Sequence, residues 1–267
     1  MYNFTVHRPT SLRQAVNILA KDEEAKILAG GHSLIPVMKF RLASPSALID
    51  LSKIEDLKGI ELRGRSIVIG AMTTHAEVAG SPIMKENMPG LAAVPGSIGD
   101  PHVRNVGTIG GSIANNDPNA DYPAACLGLG ATIVTNKRRI ASDEFFTGMF
   151  STALEPGEII TKIMFPITKK AAYEKFKHPA SGFALVGVFA SKRGPDLRVA
   201  VTGAGGNGVF RVTAFEEALK KRFSPKSLEG LTIPATGINS DIHASAEYRA
   251  HLVAVLARRA VAAAAAG

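Results

Sequence analysis

Apolar and polar positions change period several times along this 267-residue chain, and the changes divide it into short α/β units followed by longer strands. Phe4-Thr5-Val6 reads as a short strand, and Pro9-Thr10-Ser11 opens a helix whose apolar positions Leu12, Ala15, Val16 and Leu19 keep one helical face. Lys26 to Leu28 and Ala47 to Asp50 return as strands, and Ile60 to Leu62 with Ser66 to Gly70 makes a hairpin around Arg63-Gly64-Arg65. A short helix is expected after Thr74 and another over Ile83 to Ala92. From Pro95 to Pro123 the density of Gly, Asn, Asp and Pro predicts an irregular loop, packed through Ile98, Val103, Ile109 and Ile113. A helix over Ala124 to Leu129, a strand over Ala131 to Val134 and a strand over Glu158 to Phe165, ended by Pro166, follow.

Beyond Lys169 the texture changes to longer, antiparallel-looking strands over Ala172 to Lys177, Phe183 to Ser191 and Leu197 to Thr202. Two helices come after them, the last starting at Ser245 and carrying Leu252, Val255, Leu256 and Ala260 at helical spacing. This pattern predicts a first domain over residues 1–170, with subdomains of about 1–56 and 57–170, and a smaller second domain over 171–267. No internal repeat is visible.

Two glycine stretches sit where an anion would be held. Leu28-Ala29-Gly30-Gly31-His32-Ser33-Leu34 places a glycine pair between a strand and a helix-compatible run, so the backbone can reach φ > 0 and a ligand can approach without meeting a Cβ. Ser33 is positioned to cap the following turn, whose free N–H groups would face the same anion. Asn105-Val106-Gly107-Thr108-Ile109-Gly110-Gly111-Ser112-Ile113-Ala114 is expected to supply further amides and hydroxyls from a loop on the opposite side, as the two phosphates of a dinucleotide require. An ordinary strand-to-helix turn also satisfies the first stretch taken alone. A third stretch, Gly203-Ala204-Gly205-Gly206-Asn207-Gly208, meets the spacing G-x-G-x-x-G, but Val209-Phe210-Arg211-Val212 continues as an extended run where the fingerprint needs a helix. It reads as a plain connection.

Composition narrows the chemistry. The single cysteine, Cys126, permits neither an internal disulfide nor an iron–sulfur cluster held by this chain. The net charge of +8 comes from scattered residues, and with no Trp and 6% aromatics, stacking platforms for nucleic acid are scarce; a docking face for a larger subunit or an anionic cofactor fits better. The start of the chain lacks the basic and apolar segments of a signal peptide, and Leu252 to Ala266, interrupted by Arg258 and Arg259, is too short to span a bilayer, so a cytoplasmic protein without a membrane span is expected. Seven histidines are spread without ligand spacing, so no metal site is expected; His32, inside the glycine turn, is the one placed to touch a ligand. Asp100, Asp117 and Asp121 suit either Asx turns or acceptance from ribose hydroxyls. No nucleophile and base stand at a productive spacing, which leaves the chemistry to a cofactor.

With both glycine motifs in view, the chain resembles the flavoprotein (medium) subunit of the molybdenum hydroxylases, the family that includes aerobic carbon monoxide dehydrogenase, xanthine dehydrogenase and related aldehyde and N-heterocycle oxidoreductases. The likeness is carried by Ala29-Gly30-Gly31-His32-Ser33, Phe40-Arg41-Leu42, Leu48-Ile49-Asp50-Leu51, Ile98-Gly99-Asp100, Thr108-Ile109-Gly110-Gly111-Ser112, Asp117-Pro118-Asn119-Ala120-Asp121 and Ser240-Asp241-Ile242-His243-Ala244-Ser245-Ala246-Glu247-Tyr248-Arg249, and so extends over nearly the whole chain. It implies an α+β fold: a two-part FAD-binding domain of the vanillyl-alcohol-oxidase (PCMH) type, then a smaller α+β C-terminal domain. It implies noncovalent FAD, with its diphosphate at Ala29, Gly30, Gly31, His32, Ser33 and Leu34 and at Thr108, Ile109, Gly110, Gly111 and Ser112. Asp121 would meet the adenosine portion, Ile98 and Ile160 would line the flavin, and Lys177 would approach it from the C-terminal domain. Phe183 stands where many relatives carry a tyrosine, and the cysteine-bearing insertion of the hydroxybenzoyl-CoA reductase branch is absent. The resemblance further implies an electron-transfer subunit of a molybdenum-containing oxidoreductase. It would take electrons from a small [2Fe–2S] subunit, work beside a large molybdopterin subunit and pass electrons to an external acceptor, in a dimer of heterotrimers. The alternative is a self-contained FAD-dependent oxidase.

Overall fold

Three short parallel strands open the chain: β1 (Thr5–His7), β2 (Lys26–Leu28) and β3 (Ala47–Asp50), paired in the order β1-β3-β2. Parallel pairs need crossovers, and α1 (Leu12–Leu19) and α2 (Leu34–Lys39) supply them. The structure is a computed structural model that describes residues 1–266. Ser11 caps α1 by accepting from the Gln14 amide, and α1 buries Ala15 against Ile49, Ile54 and Leu57.

The second unit is a five-stranded antiparallel sheet, ordered β4 (Ile60–Arg63), β5 (Ser66–Gly70), β10 (Ile160–Pro166), β6 (Thr132–Thr135) and β7 (Arg139–Ala141). Its first strands, β4 (Ile60–Arg63) and β5 (Ser66–Gly70), form the expected hairpin. Thr74 and Glu77 then make a reciprocal capping box at the start of α3 (His75–Gly80). The single helix expected over Ile83 to Ala92 is two, α4 (Pro82–Asn87) and α5 (Pro89–Gly96), because Pro89 has no N–H to continue α4 and Met88 before it leaves the helical region, at φ −145° and ψ 64°.

The irregular loop expected from Pro95 to Pro123 is also helical, in α6 (Pro101–Val106), α7 (Ile109–Asn115) and the start of α8 (Asp121–Leu129). The residues that suggested a loop are helix starts. Asp100 accepts from the Val103 amide at 2.9 Å with Pro101 in the first helical position, and Thr108 Oγ1 accepts from the Gly111 amide at 3.1 Å. Asn116, at φ 44°, ends α7.

After α8 come β6 (Thr132–Thr135), β7 (Arg139–Ala141), the one-turn α9 (Ser142–Phe145), a small hairpin of β8 (Phe146–Gly148) and β9 (Ser151–Thr152), and β10 (Ile160–Pro166), which enters the centre of the sheet. The last sheet is antiparallel in chain order: β11 (Lys170–Lys177), β12 (Ala184–Arg193), β13 (Asp196–Thr202) and β14 (Phe210–Arg211). Then follow α10 (Thr213–Lys221) and α11 (Ala246–Ala266). Both faces of this sheet are covered, which is why Ala184 to Ser191 is buried without interruption. Val186, Val188 and Ala190 face α11, while Phe189 packs against α8 so closely that a Cβ on Gly128 would lie 2.6 Å from its ring. α8 is buried on every side between the two sheets. Gly203 to Gly208 leads into β14 with no helix opening on its last glycine, as the sequence pattern required. Among the described residues no helix is long and apolar enough to cross a membrane.

Candidate functional site

A cavity of about 750 Å³ opens between the β2–α2 turn, the start of α7, the inner end of β10 and the β11–β12 hairpin. At its glycine turn, a Cβ on Gly30 would collide with the Val106 carbonyl oxygen and lie 2.8 Å from Gly107 Cα, so the turn leans directly on the end of α6. Gly31 follows at φ +70°. Among the described residues, the amides of Gly31, His32 and Ser33 donate to no protein acceptor, so this backbone reaches the cavity with free donors. His32 folds back on the turn, its Nδ1 donating to the Gly30 carbonyl at 2.9 Å. Ser33 does not cap α2: its own backbone is already helical, its side chain makes no capping bond, and the hydroxyl is left exposed at the cavity.

The second glycine stretch differs from the expected loop of amide donors. Ile109 donates to the Thr73 carbonyl at 3.1 Å, Gly110 to the Ala71 carbonyl at 2.8 Å and Ser112 to the Thr108 carbonyl at 3.0 Å, so with Gly111 bound to Thr108 these amides are spent inside the protein. What the stretch offers is two hydroxyls, on Thr108 and Ser112, and a surface without side chains. A Cβ on Gly110 would strike Ala71 at 2.6 Å, and one on Gly111 would sit 3.4 Å from Ala29 Cβ, so small residues let α7 lie against both β5 and the first turn.

At the opposite wall, Tyr173 donates its hydroxyl to Asp121 Oδ1, while Lys175 donates to Asp121 Oδ2 at 2.9 Å and to the Ser97 carbonyl at 3.2 Å. Asp121 therefore already serves two protein donors. Burial pushes the Asp121 pKa up, partly countered by Lys175 and Tyr173, and burial pushes that of Lys175 down, partly countered by Asp121. The lysine at the cavity is Lys175 and not Lys177. The β11–β12 register shifts between Phe176 and Lys177, where Leu185 is the extra residue of β12, and Lys177 ends exposed and outside the lining. Phe183, half exposed, joins Ser181 and Gly182 at the hairpin side of the cavity.

Ala29, Gly30, Gly31, His32, Ser33, Leu34, Ile98, Thr108, Gly110, Gly111, Ser112, Asp121 and Ile160 thus share one wall-lined space. Ile109 does not, because the first turn of α7 points it into the core, where it is fully buried. Several lining residues carry no motif and were missed, His75 and Glu158 among them. His75 begins α3, is 5% exposed, and packs against Tyr122 with ring centroids 5.4 Å apart and planes tilted by 41°. Burial, helped by the neighbouring charges of His32 and Arg104, lowers its pKa to about 4, so it is neutral at pH 7. The Thr74…Glu77 capping-box spacing is the sequence signal that could have placed it at a helix start. Glu158, also in the lining, accepts from Thr135, Arg138 and the Glu155 amide. Asp117 forms the Asx turn, accepting from the Asn119 amide at 2.8 Å.

The set suits a long ligand with an anionic middle and a flat apolar end: free amides and hydroxyls at the glycine turns, Ile98, Leu154, Ile159 and Ile160 beyond them. Among the described residues, no lining hydroxyl is hydrogen-bonded to a histidine or carboxylate in the manner of an activated nucleophile, Asp121's tyrosine partner lying outside the lining.

Residues 2–168 match the family described as the FAD binding domain in molybdopterin dehydrogenase. The carbon monoxide dehydrogenase medium chain of Hydrogenophaga pseudoflava is 36% identical over 274 residues, covering 97% of this chain and 96% of the relative. The nicotine 6-hydroxylase medium subunit of Paenarthrobacter nicotinovorans is 37% identical over 267 residues, covering 95% and 94%. A solved structure of carbon monoxide dehydrogenase from Hydrogenophaga pseudoflava superposes with a TM-score of 0.89 at 35% identity, over 99% of this chain and 98% of that one.

Proposed function

This chain belongs to the family of FAD-binding domains of molybdopterin dehydrogenases, and from that premise we propose that it is the electron-transferring FAD subunit of a molybdenum hydroxylase. The observation that carries the reading is the glycine turn: Gly30 has no room for a Cβ against Val106, and the amides after it face the cavity unpaired. Gly31, His32 and Ser33 would hold the diphosphate by their amides, Thr108 and Ser112 by their hydroxyls, and Ile98, Leu154, Ile159 and Ile160 would cover the ring system and keep water from it. Bound FAD supplies a redox centre able to exchange electrons in pairs or singly. His32 is tied to Gly30, which supports noncovalent retention.

The electrons would come from a small subunit with [2Fe–2S] clusters and originate at a large molybdopterin subunit, because one cysteine cannot hold a cluster here. The assembly we propose is a dimer of heterotrimers in the cytoplasm, delivering electrons to an external acceptor. Within the chain we propose an FAD-binding domain over 1–170, of subdomains about 1–56 and 57–170, and a second domain from 171, with β11 bringing Lys175 to the cavity.

The test is to load the isolated chain with FAD and offer aldehydes, purines, N-heterocycles and carbon monoxide with a dye acceptor. We expect stoichiometric FAD that acid releases from the protein, no dye reduction by the chain alone, and reduction once the partner subunits are added. Appreciable substrate-dependent reduction by the isolated chain would overturn the subunit reading in favour of a self-contained oxidase.

A further inference from the structure

We propose that His75 donates a hydrogen bond to the diphosphate of the bound dinucleotide, a contact supplied by neither glycine motif; the inference rests on the FAD reading of the cavity. The ring is fixed by its surroundings. Its backbone amide donates to the Gly107 carbonyl at 2.9 Å, the Thr74/Glu77 capping box sets the turn before it, and Tyr122 covers one face. A Cβ on Gly107 would lie 2.7 Å from His75 Nε2, so the ring occupies space that only glycine leaves open. Gly107 Cα is also the atom that a Gly30 side chain would meet at 2.8 Å. His75, Gly107 and Gly30 therefore form a continuous stack beneath the free amides of the first turn.

Neither ring nitrogen has a protein partner among the described residues, and Nδ1 is sealed from solvent. The nitrogen left available to a ligand is therefore Nε2, on the side of the ring that reaches the cavity wall. A proton on Nδ1 would bury a donor with nothing to receive it. A proton on Nε2 leaves Nδ1 as a bare acceptor, the lesser penalty, and sets the N–H beside Gly107 in the cavity wall. The nearby cation, Arg104, is engaged with the Ile98 and Gly99 carbonyls at 2.9 and 3.1 Å, so it does not take over this position. A neutral N–H donor beside the glycine turn suits a phosphate oxygen and gives nothing to the apolar ring system.

Dissociation constants for FAD, ADP and riboflavin measured on the full chain, as wild type, His75→Phe and His75→Gln, test this. We expect His75→Phe to weaken FAD and ADP by about 10–100-fold, the effect of losing a hydrogen bond to a charged group, and to leave riboflavin within about twofold. His75→Gln, which restores a side-chain N–H, should recover most of the loss. In the wild-type chain, where no question of folding arises, ADP should shift the ¹⁵N resonance of His75 Nε2. If wild type binds FAD and ADP but His75→Phe binds them equally well, or ADP leaves the Nε2 resonance unmoved, the inference is wrong and the FAD reading stands. If wild type binds neither, both fall.

Discussion

Lys175 Nζ lies 2.9 Å from Asp121 Oδ2, with both side chains 4% exposed, and this pair joins the C-terminal sheet to the first turn of α8 at the cavity wall. Removing one partner strands a buried charge, which costs about 3–5 kcal/mol, whereas removing both exchanges the pair for apolar contact. Lys175→Met should therefore destabilise the cofactor-free chain by about that amount in urea unfolding. Lys175→Met with Asp121→Leu should recover part of the loss, the remainder reflecting the Tyr173 hydroxyl left without its acceptor. A double variant no more stable than the single one would show that the pair is not the unit that matters.

Gly30 and Gly205 separate the turn proposed to hold the cofactor from the connection that imitates a fingerprint. Gly30→Ala forces a methyl onto the Val106 carbonyl and should lower FAD affinity at least ~10-fold in a chain whose far-ultraviolet circular dichroism is unchanged, by displacing the donor amides. Gly205→Ala meets the Gly208 carbonyl and the Phe210 ring, so its cost of about 1–3 kcal/mol should appear in unfolding, with FAD affinity of the folded protein intact. Equal losses of FAD affinity would mean that the two turns were assigned wrongly.

Glu158 gives a pH dependence of known sign. Burial would raise its pKa, but the bonds from Arg138, Thr135 and the Glu155 amide outweigh burial and hold it at about 2, against an ordinary 4.5. The folded value is depressed, so the stabilisation is complete above pH 4.5 and is lost as pH falls through 2. Because the Arg138 side chain is 41% exposed, solvent screens the pair and we expect about 1–2 kcal/mol from it. Glu158→Gln should flatten the stability curve across that acid window, measured by denaturant midpoints from neutral pH downward. An unchanged slope would remove Glu158 as its source.

Arg249, 3% exposed, donates from Nη1 to the Leu185 and Gly203 carbonyls at 2.7 and 2.8 Å and from Nη2 to Asp241 at 2.7 Å. Arg249→Met leaves two carbonyls of the sheet unserved and should cost about 2–4 kcal/mol. Arg249→Lys should rescue little of it, since one ammonium does not reproduce the planar fork. Hydrogen exchange over residues 185–203 should quicken in both variants, and a lysine variant with wild-type protection would contradict the forked geometry.

Local periodicity was enough for most of the longer strands, the helices α1, α8 and α11 and the rejection of Gly203 to Gly208 as a fingerprint, since each depends on neighbouring residues sharing a face or a φ preference, but not for the short β7, β8 and β9. The glycine turn at Gly30-Gly31 was legible for the same reason. From Pro95 to Pro123 the same local signals were ambiguous: Asp100, Pro101 and Thr108 belong equally to loops and to helix starts, and the packing of α6 and α7 on the sheet selected the helices. Which atoms met across the chain was a tertiary decision. The amides of Ile109 and Gly110 were consumed by Thr73 and Ala71, the contact with Asp121 put Lys175 rather than Lys177 at the cavity wall, and His75 entered the wall only because Gly107, more than thirty residues away, left room for its ring. A hydrophobic pattern specifies which side of an element turns inward; the partner it finds there depends on how distant elements pack, and no local spacing carries that information.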